Sequence, residues 1–394
     1  MNGLPQPPGN RLVGHLWRWT TDPVGLLEAG AGTGEVFQLR LWRPVVVGYR
    51  PDWNRAVLSD LETFRNAGSL SDLTPYLAAG VVHSDVPAHD QRRRALNLHL
   101  HAGRVQEWTG RLREVVARQL PRGRFEAVAW AERVVRGMLN AVLFGDAVPE
   151  RLLARFLAPL QRSIPAPLLP RPRLFRRMEA AIGAVVADPV PGTLAAALVG
   201  VDGSAGAGEA SDAALGTADA VEELRVMLAA GYDTTTYTLA WALWYLAAAP
   251  RWRAPDLLPA VIDEVTRLYP AGWIGSRVVS RDVQVCGVEL PTGTLVVYSP
   301  YLTHRDPRLW PEPLCFRPER FAAGRPAWGF IPFAAGRRSC LGACLARAVL
   351  RVALEPFCAG ELVRVGGDAT LKAGVTLRPR GPLWISWTPP QGLT

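Results

Sequence analysis

A ten-residue string near the C-terminus constrains this chain more than any other feature of its sequence. Residues 333–342 read Phe-Ala-Ala-Gly-Arg-Arg-Ser-Cys-Leu-Gly and lead into the apolar, helix-forming run ACLARAVLRVAL. The pattern predicts a glycine-containing loop that delivers Cys340 to the N-terminus of a helix. Unpaired backbone N–H groups and the helix dipole at such a position favour a thiolate over a thiol. A cysteine alone in a loop is more often a buried structural residue.

The composition is that of a globular protein with a large core. Of the 394 residues, 49% are hydrophobic and 20% are charged, which is unlike a disordered chain. No run approaches the roughly eighteen apolar residues that span a bilayer, and the first ten residues lack the basic and apolar parts of a secretory signal. We therefore expect a soluble, cytoplasmic, monomeric protein with one catalytic domain over residues 1–394.

The cysteines and the charge exclude some classes of protein. Five cysteines, all after residue 285, disfavour a disulfide framework, and the pair Cys340 and Cys344 lacks the two further ligands of a structural zinc site. The net charge is +9, and Lys372 is the only lysine among 44 basic residues. This arginine bias indicates either a coding or thermal bias or a basic surface for an acidic partner. We find no nucleic-acid-binding signature.

The patterns along the chain predict a mainly α protein with a smaller β portion. Residues 37–49 are typical of a strand or hairpin, whereas residues 89–144 and 218–249 have helical periodicity. The last hundred residues mix extended segments with one helix. The proline-rich residues 164–173 predict a loop between two helices, and residues 199–219 predict a flexible surface connection.

Two further groups of residues are uninformative alone. Glu264 and Arg267 lie one helical turn apart, and Phe-Arg-Pro-Glu-Arg-Phe follows at residues 316–321. An isolated pair of this kind would be a surface ion pair of little energetic value. Residues 230–235 read Ala-Gly-Tyr-Asp-Thr-Thr, which is poor helix chemistry within a long helix and alone would indicate a kink or close packing.

Together these patterns resemble the cytochrome P450 family. Phe-x-x-Gly-x-Arg-x-Cys-x-Gly is the haem-binding signature of that family, and every defined position matches. Four further motifs of the family precede this signature, and they occur along the chain in the family's order. They are His-x-x-x-Arg, Ala/Gly-Gly-x-Asp/Glu-Thr, Glu-x-x-Arg and Pro-Glu-Arg-Phe. The resemblance covers roughly residues 30–385, with residues 160–220 matching in position only. It implies the P450 fold, a triangular helical prism with small β-sheets, and haem b as cofactor.

The resemblance also implies a role for each matching residue. Cys340 would be the axial ligand of the haem iron, and Asp233 and Thr234 would hold water and deliver protons as acid–base groups. Glu264, Arg267 and Arg320 would form a buried charge network that holds the loop beneath the haem. The other cofactor-binding residues would be Phe333, Gly336, Arg338 and Gly342 of the string, together with His89, Arg93 and Arg277 near the propionates.

The substrate is less constrained. Residues 268–278 and 298–304 resemble the thermophilic bacterial P450s that hydroxylate the rings of β-carotene, although the Trp usual at the start of their Trp-x-x-x-Arg motif is His89 here. We expect a long apolar substrate, a carotenoid in the first place, with fatty-acid or terpene hydroxylation as alternatives. By family position, the residues expected to line its cavity are Ala229, Ala230, Trp273 and Ile274.

Electrons for a P450 reaction would have to come from another protein. The chain has no Rossmann, flavin or iron–sulfur pattern, so we expect an acidic ferredoxin or a flavodoxin as donor. Its expected docking residues, on the cysteine side, are Arg92, Arg93, Arg94 and Arg337.

A membrane contact and other reactions stay open. The 164–173 loop, with Ile164, Leu168 and Leu169 beside arginines, could touch a membrane surface, although an ordinary loop between helices is at least as plausible. A peroxide-driven peroxygenase, a P450-like isomerase or dehydratase and a haem-binding sensor are the rival functions. None of the three needs the Asp233–Thr234 pair.

Overall fold

The computed structural model describes residues 3–162, 166–201 and 215–391. Helices dominate it, as the sequence predicts. The α-helices are α1 (Leu16–Thr21), α2 (Pro23–Ala31), α3 (Pro51–Ser59), α4 (Gly80–His83), α5 (Ala88–Leu100), α6 (Ala102–Glu107), α7 (Thr109–Gln119), α8 (Ala127–Phe144), α9 (Glu150–Leu157), α10 (Pro172–Ala187), α11 (Leu194–Leu198), α12 (Thr217–Ala248), α13 (Leu258–Leu268), α14 (Pro300–Thr303) and α15 (Ala343–Leu354).

The strands form small separate sheets. They are β1 (Val36–Arg40), β2 (Pro44–Gly48), β3 (Phe64–Arg65), β4 (Gly123–Glu126), β5 (Gly275–Val279), β6 (Val283–Val285), β7 (Val288–Leu290), β8 (Leu295–Tyr298), β9 (Glu361–Gly367), β10 (Leu371–Ala373), β11 (Leu377–Pro379) and β12 (Leu383–Thr388). The largest sheet has the order β1-β2-β8-β5-β3, with β2 and β8 parallel. The others are β4-β12-β9, β10-β11 and β6-β7.

Helix α12 is the central element of the fold. It begins one residue before the expected start and ends two residues before Pro250, whose ring cannot continue a helix. The helix packs against α8, α10, α13 and α15, and most of its side chains are buried. It is therefore apolar on nearly all sides, as a helix in the interior of a large domain must be.

Local capping interactions set where helix α8, the main packing partner of α12, begins and ends. The Glu126 carboxylate accepts hydrogen bonds from the N–H groups of Val128 and Ala129, at 3.1 and 2.6 Å, so that two otherwise unpaired donors are satisfied. At the C-terminus, Gly145 adopts a left-handed conformation with φ 63°, which only glycine adopts without cost. These caps fix the length of the helix that supports α12.

Several predicted segments lie where the sequence places them. Residues 37–49 form the antiparallel pair of β1 and β2. The described part of the 164–173 loop contains a 3-10 turn, Ala166–Leu168, and the start of α10 at Pro172. Ile164 and residues 202–214 of the predicted surface connection lie outside the described residues. No helix within the described ranges is long and apolar enough to cross a membrane.

Candidate active site

A cavity of about 420 Å³ lies between α12, the loop before α15 and strand β5. Its wall is largely apolar, but four cationic or imidazole side chains, one cysteine, four threonines and three other polar residues also line it. These polar residues are His89, Arg93, Arg277, Arg338, Cys340, Thr234, Thr235, Thr238, Thr266, Asn66, Tyr298 and Ser339. The structure thus brings together, on one cavity, residues from separate segments of the chain.

The loop that carries Cys340 is tightly folded. The Cys340 N–H donates to the Phe333 carbonyl at 2.8 Å. Gly336 has φ 68°, and a Cβ there would lie 2.7 Å from the Leu58 carbonyl oxygen. Both the backbone conformation and the space therefore require glycine. Helix α15 then begins at Ala343, three residues after the cysteine, as the sequence predicts.

The sulfur of Cys340 is open to the cavity although protein surrounds it on its other sides. Burial raises the pKa of the Cys340 thiol, while the Gly342 N–H and the Arg93 guanidinium oppose that rise. The loop and the helix N-terminus by themselves therefore do not make the thiol strongly acidic. A metal cation bound to the sulfur would lower the pKa of the Cys340 thiol, since a coordinating thiol loses its proton.

Two buried guanidinium groups meet at the cavity with incomplete compensation. Arg338 donates to the carbonyl of Ser84 and, at 3.1 Å, to the Asp85 carboxylate, and Arg277 donates to the Asn66 side chain at 3.2 Å. Burial and the neighbouring Arg277 lower the pKa of Arg338 to about 10. The Nε atoms of both arginines have no hydrogen-bond partner among the described residues. This surplus of positive charge suits anionic carboxylates of a ligand.

The His-x-x-x-Arg pair lies on α5 beside the same loop. Arg93 donates to the carbonyl and the hydroxyl of Ser339, at 2.8 and 3.1 Å, so it also fixes the residue before the cysteine. The His89 ring bonds the Asp90 carboxylate through Nδ1 at 2.9 Å, and burial lowers the pKa of His89. A neutral imidazole with one nitrogen occupied can still donate or accept one further hydrogen bond.

The predicted charge network is present and almost completely buried. The Glu264 carboxylate accepts from Arg267 at 2.8 and 2.9 Å and from Arg320 at 3.1 Å, and the side chains of Glu264 and Arg267 are 0% exposed. Arg267 also donates to the carbonyls of His304 and Pro313, at 2.8 Å each. The network therefore joins α13 to the chain that precedes the cysteine loop.

Helical periodicity divides α12 into two faces. The cavity face carries Ala230 and Thr234, one turn apart, and the Thr234 hydroxyl donates to the Ala230 carbonyl at 2.6 Å. Ala229 was expected to line the cavity with Ala230, but it is buried in the core and does not face the cavity. The reason is geometric: successive residues of an α-helix point about 100° apart.

Asp233 lies on the face of α12 that Ala229 occupies. It is not among the cavity-lining residues, and its Oδ2 accepts a hydrogen bond from the Thr376 hydroxyl at 2.7 Å. Burial raises the pKa of Asp233 to about 7, although Thr376 and Arg378 oppose that rise. Its Oδ1 has no hydrogen-bond partner within the part of the chain that the structure describes. Asp233 is thus a buried acid one residue from a cavity threonine, turned toward the C-terminal strands.

The expectation for Trp273 is corrected as well. Ile274 lines the cavity, but Trp273 does not. The Trp273 indole donates to the Gly374 carbonyl at 3.2 Å and its ring lies 6.0 Å from that of Trp19. Adjacent side chains in the extended segment that leads into β5 point to opposite sides, so Trp273 and Ile274 cannot both face the cavity.

One residue of the expected docking face, Arg92, is not available to a partner. Arg92 lies inward and donates to Glu222, Glu223 and Asp219 at 2.9, 2.7 and 2.7 Å. Because Glu223 is fully buried, this contact holds α5 against the start of α12 and leaves Arg92 unsuited to a partner. Arg94 and Arg337 are exposed, and Arg337 pairs with Asp90.

Sequence reasoning missed several residues that the site uses. Asn66 and Asp85 hold the two buried arginines, Thr376 holds Asp233, and the His304 ring accepts from the Ile331 N–H at 2.9 Å just before the cysteine loop. No role was assigned to any of the four from the sequence, although His304 lies in the stretch 298–304 that resembles known P450s. Each acts on a residue far away in the chain, so no local pattern marks it.

The residues on this cavity fit haem b. A thiolate ligand, apolar walls and buried cations are what an iron porphyrin with two propionates requires. Cys340 would hold the iron, and Arg338, Arg277, Arg93 and His89 would hold the propionates.

Comparisons with known proteins agree with this fit. Residues 256–357 match the family model described as Cytochrome P450. Cyclooctatin synthase of Streptomyces melanosporofaciens is 25% identical, over 85% of this chain and 84% of its own length. Human cytochrome P450 4V2 is 32% identical, but that match covers only 42% of this chain and 38% of the human protein.

Two solved structures share the fold. The retinoic-acid-bound cyanobacterial CYP120A1 superposes with a TM-score of 0.84 at 21% identity, covering 98% of this chain and all of that one. A six-coordinated cytochrome P450 from Thermus thermophilus superposes with a TM-score of 0.78 at 24% identity, covering 93% of this chain and 98% of its own. At these identities the likeness establishes the fold.

The buried network should be essential for stability. Replacing Glu264 with Gln leaves the Arg267 charge buried without a counter-charge, and breaking a buried pair in this way typically costs about 3–5 kcal/mol. Glu319→Gln, in the same segment as Arg320, changes an exposed carboxylate and should alter stability by less than about 0.5 kcal/mol. Urea unfolding measures both, and equal stabilities for the two variants would contradict the role of Glu264.

Proposed function

We propose that this chain is a haem b monooxygenase of the cytochrome P450 superfamily and that its substrate is a carotenoid, which it hydroxylates on the ring. The observation that carries this proposal is the apolar wall of the cavity that Cys340 faces. Ala230, Gly231 and Met227 of α12 and Ile274 before β5 contribute to that wall. A hydrocarbon ring gains roughly 25 cal/mol for each Å² that it buries there.

The lining of the cavity favours binding of the substrate by one end. The residues that would hold the haem and the apolar residues of α12 line the same cavity, so the haem and the reacting end of the substrate share it. We infer that the terminal ring and the adjacent part of the polyene enter. Ring hydroxylation needs no more, and the retinoic acid of the cyanobacterial structure is a polyene with one such ring.

Haem, when bound, supplies the oxygen chemistry, and this chain supplies ligation, orientation and protons. We propose that the sulfur of Cys340 would hold the haem iron. We assign proton delivery to Thr234 at the cavity wall and Asp233 behind it. A pKa near 7 lets Asp233 both hold and release a proton at neutral pH. Thr376 acts as a positioning residue, because its hydroxyl holds the Asp233 carboxylate.

The electron donor is the remaining partner. We propose a small acidic ferredoxin that docks on the cysteine side of the molecule. The exposed Arg94 and Arg337 flank the residues that hold the cysteine loop, and a surface crevice nearby carries Arg113, Arg347 and Arg351 with a single acid, Glu355. Such a basic surface steers an acidic partner into place.

The ligand assignment has a direct spectroscopic test. Cys340→Ser should lose the red-shifted absorption band of the reduced carbonyl complex, which is the signature of thiolate ligation, because a hydroxyl oxygen cannot replace the sulfur. Cys344→Ser, four residues on, should retain the band. A variant lacking Cys340 that still shows it would refute the assignment.

Proton delivery should be visible in the coupling of electrons to product. Thr234→Ala should divert reducing equivalents to hydrogen peroxide while haem content and substrate binding stay normal, because positioned acid–base groups contribute about 10²–10⁴-fold. Thr376→Val should produce a smaller loss with a shifted pH profile, since it acts through Asp233, and Thr376→Ser should restore coupling. Thr238→Ala, one turn along the same face, is the control. Unchanged coupling in both Thr234→Ala and Asp233→Asn would refute this role.

The docking face should respond to charge and to salt. Arg94→Glu should slow reduction by an acidic ferredoxin in stopped-flow experiments, whereas Arg133→Glu on α8 should not. Raising salt from 0.1 to 1 M shortens the Debye length from about 10 to about 3 Å and should reduce the wild-type rate toward that of Arg94→Glu. If neither Arg94→Glu nor high salt alters the reduction rate, the docking surface lies elsewhere.

The substrate is tested by expression in carotenoid-producing cells with a competent redox partner. Chromatography and mass measurement should show pigments that have gained one oxygen on a ring. In the same assay, Ile274→Trp should reduce this product because a large side chain on the cavity wall blocks the ring. If fatty acids or terpenes are oxidised instead and no pigment changes, the carotenoid assignment is wrong while the monooxygenase activity stands.

A further inference from the structure

An exposed apolar surface lies near the N-terminus, away from the cavity. We call it the N-terminal patch, and its residues are Leu12, Val13, Leu16, Trp17 and Trp42. Leu12 is 95% exposed and Trp17 is 72% exposed. Large apolar side chains grouped in this way on a surface mark an interaction site more often than scattered ones do.

The patch is held rigidly in this exposed position. Asn10 and Gly14 exchange backbone hydrogen bonds of 2.8 and 3.0 Å, and the Asn10 side chain accepts from the N–H groups of Leu12 and Val13 at 2.8 and 3.2 Å. A tight turn therefore projects the two apolar side chains outward. The hydrogen bonds that hold this turn leave the side chains of Leu12 and Val13 free to contact a partner.

Two further hydrogen bonds fix the turn beside the corner between β1 and β2. The His15 N–H donates to the Arg40 carbonyl at 2.7 Å, and the Arg40 N–H donates to the His15 ring at 2.8 Å. Trp42 lies two residues after Arg40, at this corner. Helix α1, which carries Leu16 and Trp17, starts directly after His15, so the five apolar residues belong to one surface.

The segments that form the patch carry only positive charge, and the first acidic residues beyond them are Asp22 and Glu35. Residues 3–21 and 36–49, which form and flank it, contain four arginines and no aspartate or glutamate. These arginines are Arg11, Arg18, Arg40 and Arg43. Arg11 and Arg40 are exposed and Arg18 is half-buried, whereas the Nε and Nη2 atoms of Arg43 are buried. Tryptophan and arginine beside protruding leucine are the composition of surfaces that enter the headgroup region of a bilayer. Two copies of the patch facing each other would repel, because both carry this positive charge.

We propose that the N-terminal patch binds the surface of an anionic lipid bilayer. Leu12, Trp17 and Trp42 enter the boundary of headgroups and acyl chains, and Arg11, Arg18 and Arg40 contact lipid phosphates, as polybasic surfaces do. This surface differs from the 164–173 loop considered from the sequence. There, Leu168 is half-buried and Pro167 is buried. Among the described residues of that loop, Leu169 is the one exposed leucine, and Pro170 and Pro172 are exposed beside it.

The N-terminal patch is linked through packed side chains to the wall of the cavity, which bears on how a substrate would enter. Trp19, on the same short helix, packs against Trp273 with ring centroids 6.0 Å apart, and the next residue, Ile274, lines the cavity. The bilayer contact and the cavity wall are therefore joined by two packed side chains. A substrate dissolved in the bilayer would meet the protein on the side where its cavity wall is anchored. The binding itself does not depend on the proposed substrate.

Flotation with lipid vesicles tests the proposal. The haem-loaded protein should float with vesicles of equal parts phosphatidylglycerol and phosphatidylcholine, and less with phosphatidylcholine alone. Binding should weaken as salt rises, because about 1 M salt shortens the Debye length to about 3 Å. The double variant Leu12→Ser/Trp17→Ser should lose binding on the order of tenfold or more, since it removes the inserted apolar area.

Matched variants separate the patch from general effects of charge or apolar exposure. Leu314→Ser removes another side chain that is 72% exposed, and it should bind vesicles as the wild type does. Arg11→Glu/Arg18→Glu should lose binding to anionic vesicles, whereas Arg133→Glu should retain most of it. All variants should retain normal haem content and the band of the reduced carbonyl complex, because none changes the cavity.

Three results would overturn the proposal. The first is a wild-type protein that does not float with anionic vesicles at low salt. The second is vesicle binding that survives Leu12→Ser/Trp17→Ser and is lost in Leu169→Ser, which would place the contact at the 164–173 loop. The third is a change of sedimentation coefficient in the double variant without lipid, because the patch would then be covered by a second copy of the chain.

Discussion

The cysteine side of the cavity depends on one buried carboxylate, that of Glu264. It neutralises Arg267 and accepts from Arg320 and from the Arg317 N–H at 2.8 Å. Because neither charge of the Glu264–Arg267 pair can reach water, the surrounding chain must stay where it satisfies them. Arg267 thereby fixes the carbonyl of His304, whose ring in turn holds Ile331 at the entrance to the cysteine loop. The place of Cys340 is set by this relay and by Arg93, not by the loop alone.

Helix α12 separates two kinds of chemistry by its own geometry. One face presents alanine, glycine and threonine to the cavity, which leaves room for an apolar substrate, and another face buries Asp233 against the C-terminal strands. The acid and the hydroxyl are adjacent in sequence, yet they point in different directions. In the proposed reaction, protons would come from the side of Thr376, which precedes β11, and substrate contacts from the side of β5 and α12. This separation keeps a titratable group out of an apolar binding surface.

The cations of the molecule are divided among three tasks. Arg338, Arg277 and Arg93 face the cavity, Arg92 and Arg267 hold buried carboxylates, and exposed arginines such as Arg94 and Arg337 lie on the surfaces for which we propose partners. A high arginine content thus serves different roles that composition alone does not distinguish. Arginine suits all three because its planar group binds carboxylates, phosphates and backbone carbonyls in fixed geometry.

The sequence by itself determined the fold class, the cysteine loop with its helix and the buried network. Each of these features depends on short motifs whose residue spacing indicates one local structure. Ala229 and Ala230 were both expected at the cavity, and only the structure showed that Ala229 faces the core. The orientation of Asp233 and Trp273, the inward turn of Arg92 and the exposure of Leu12 were decided only by tertiary structure. Asp233 meets Thr376 across 143 residues and Arg338 meets Asp85 across 253. Contacts between such distant segments are set by how whole elements pack, and no local pattern records them.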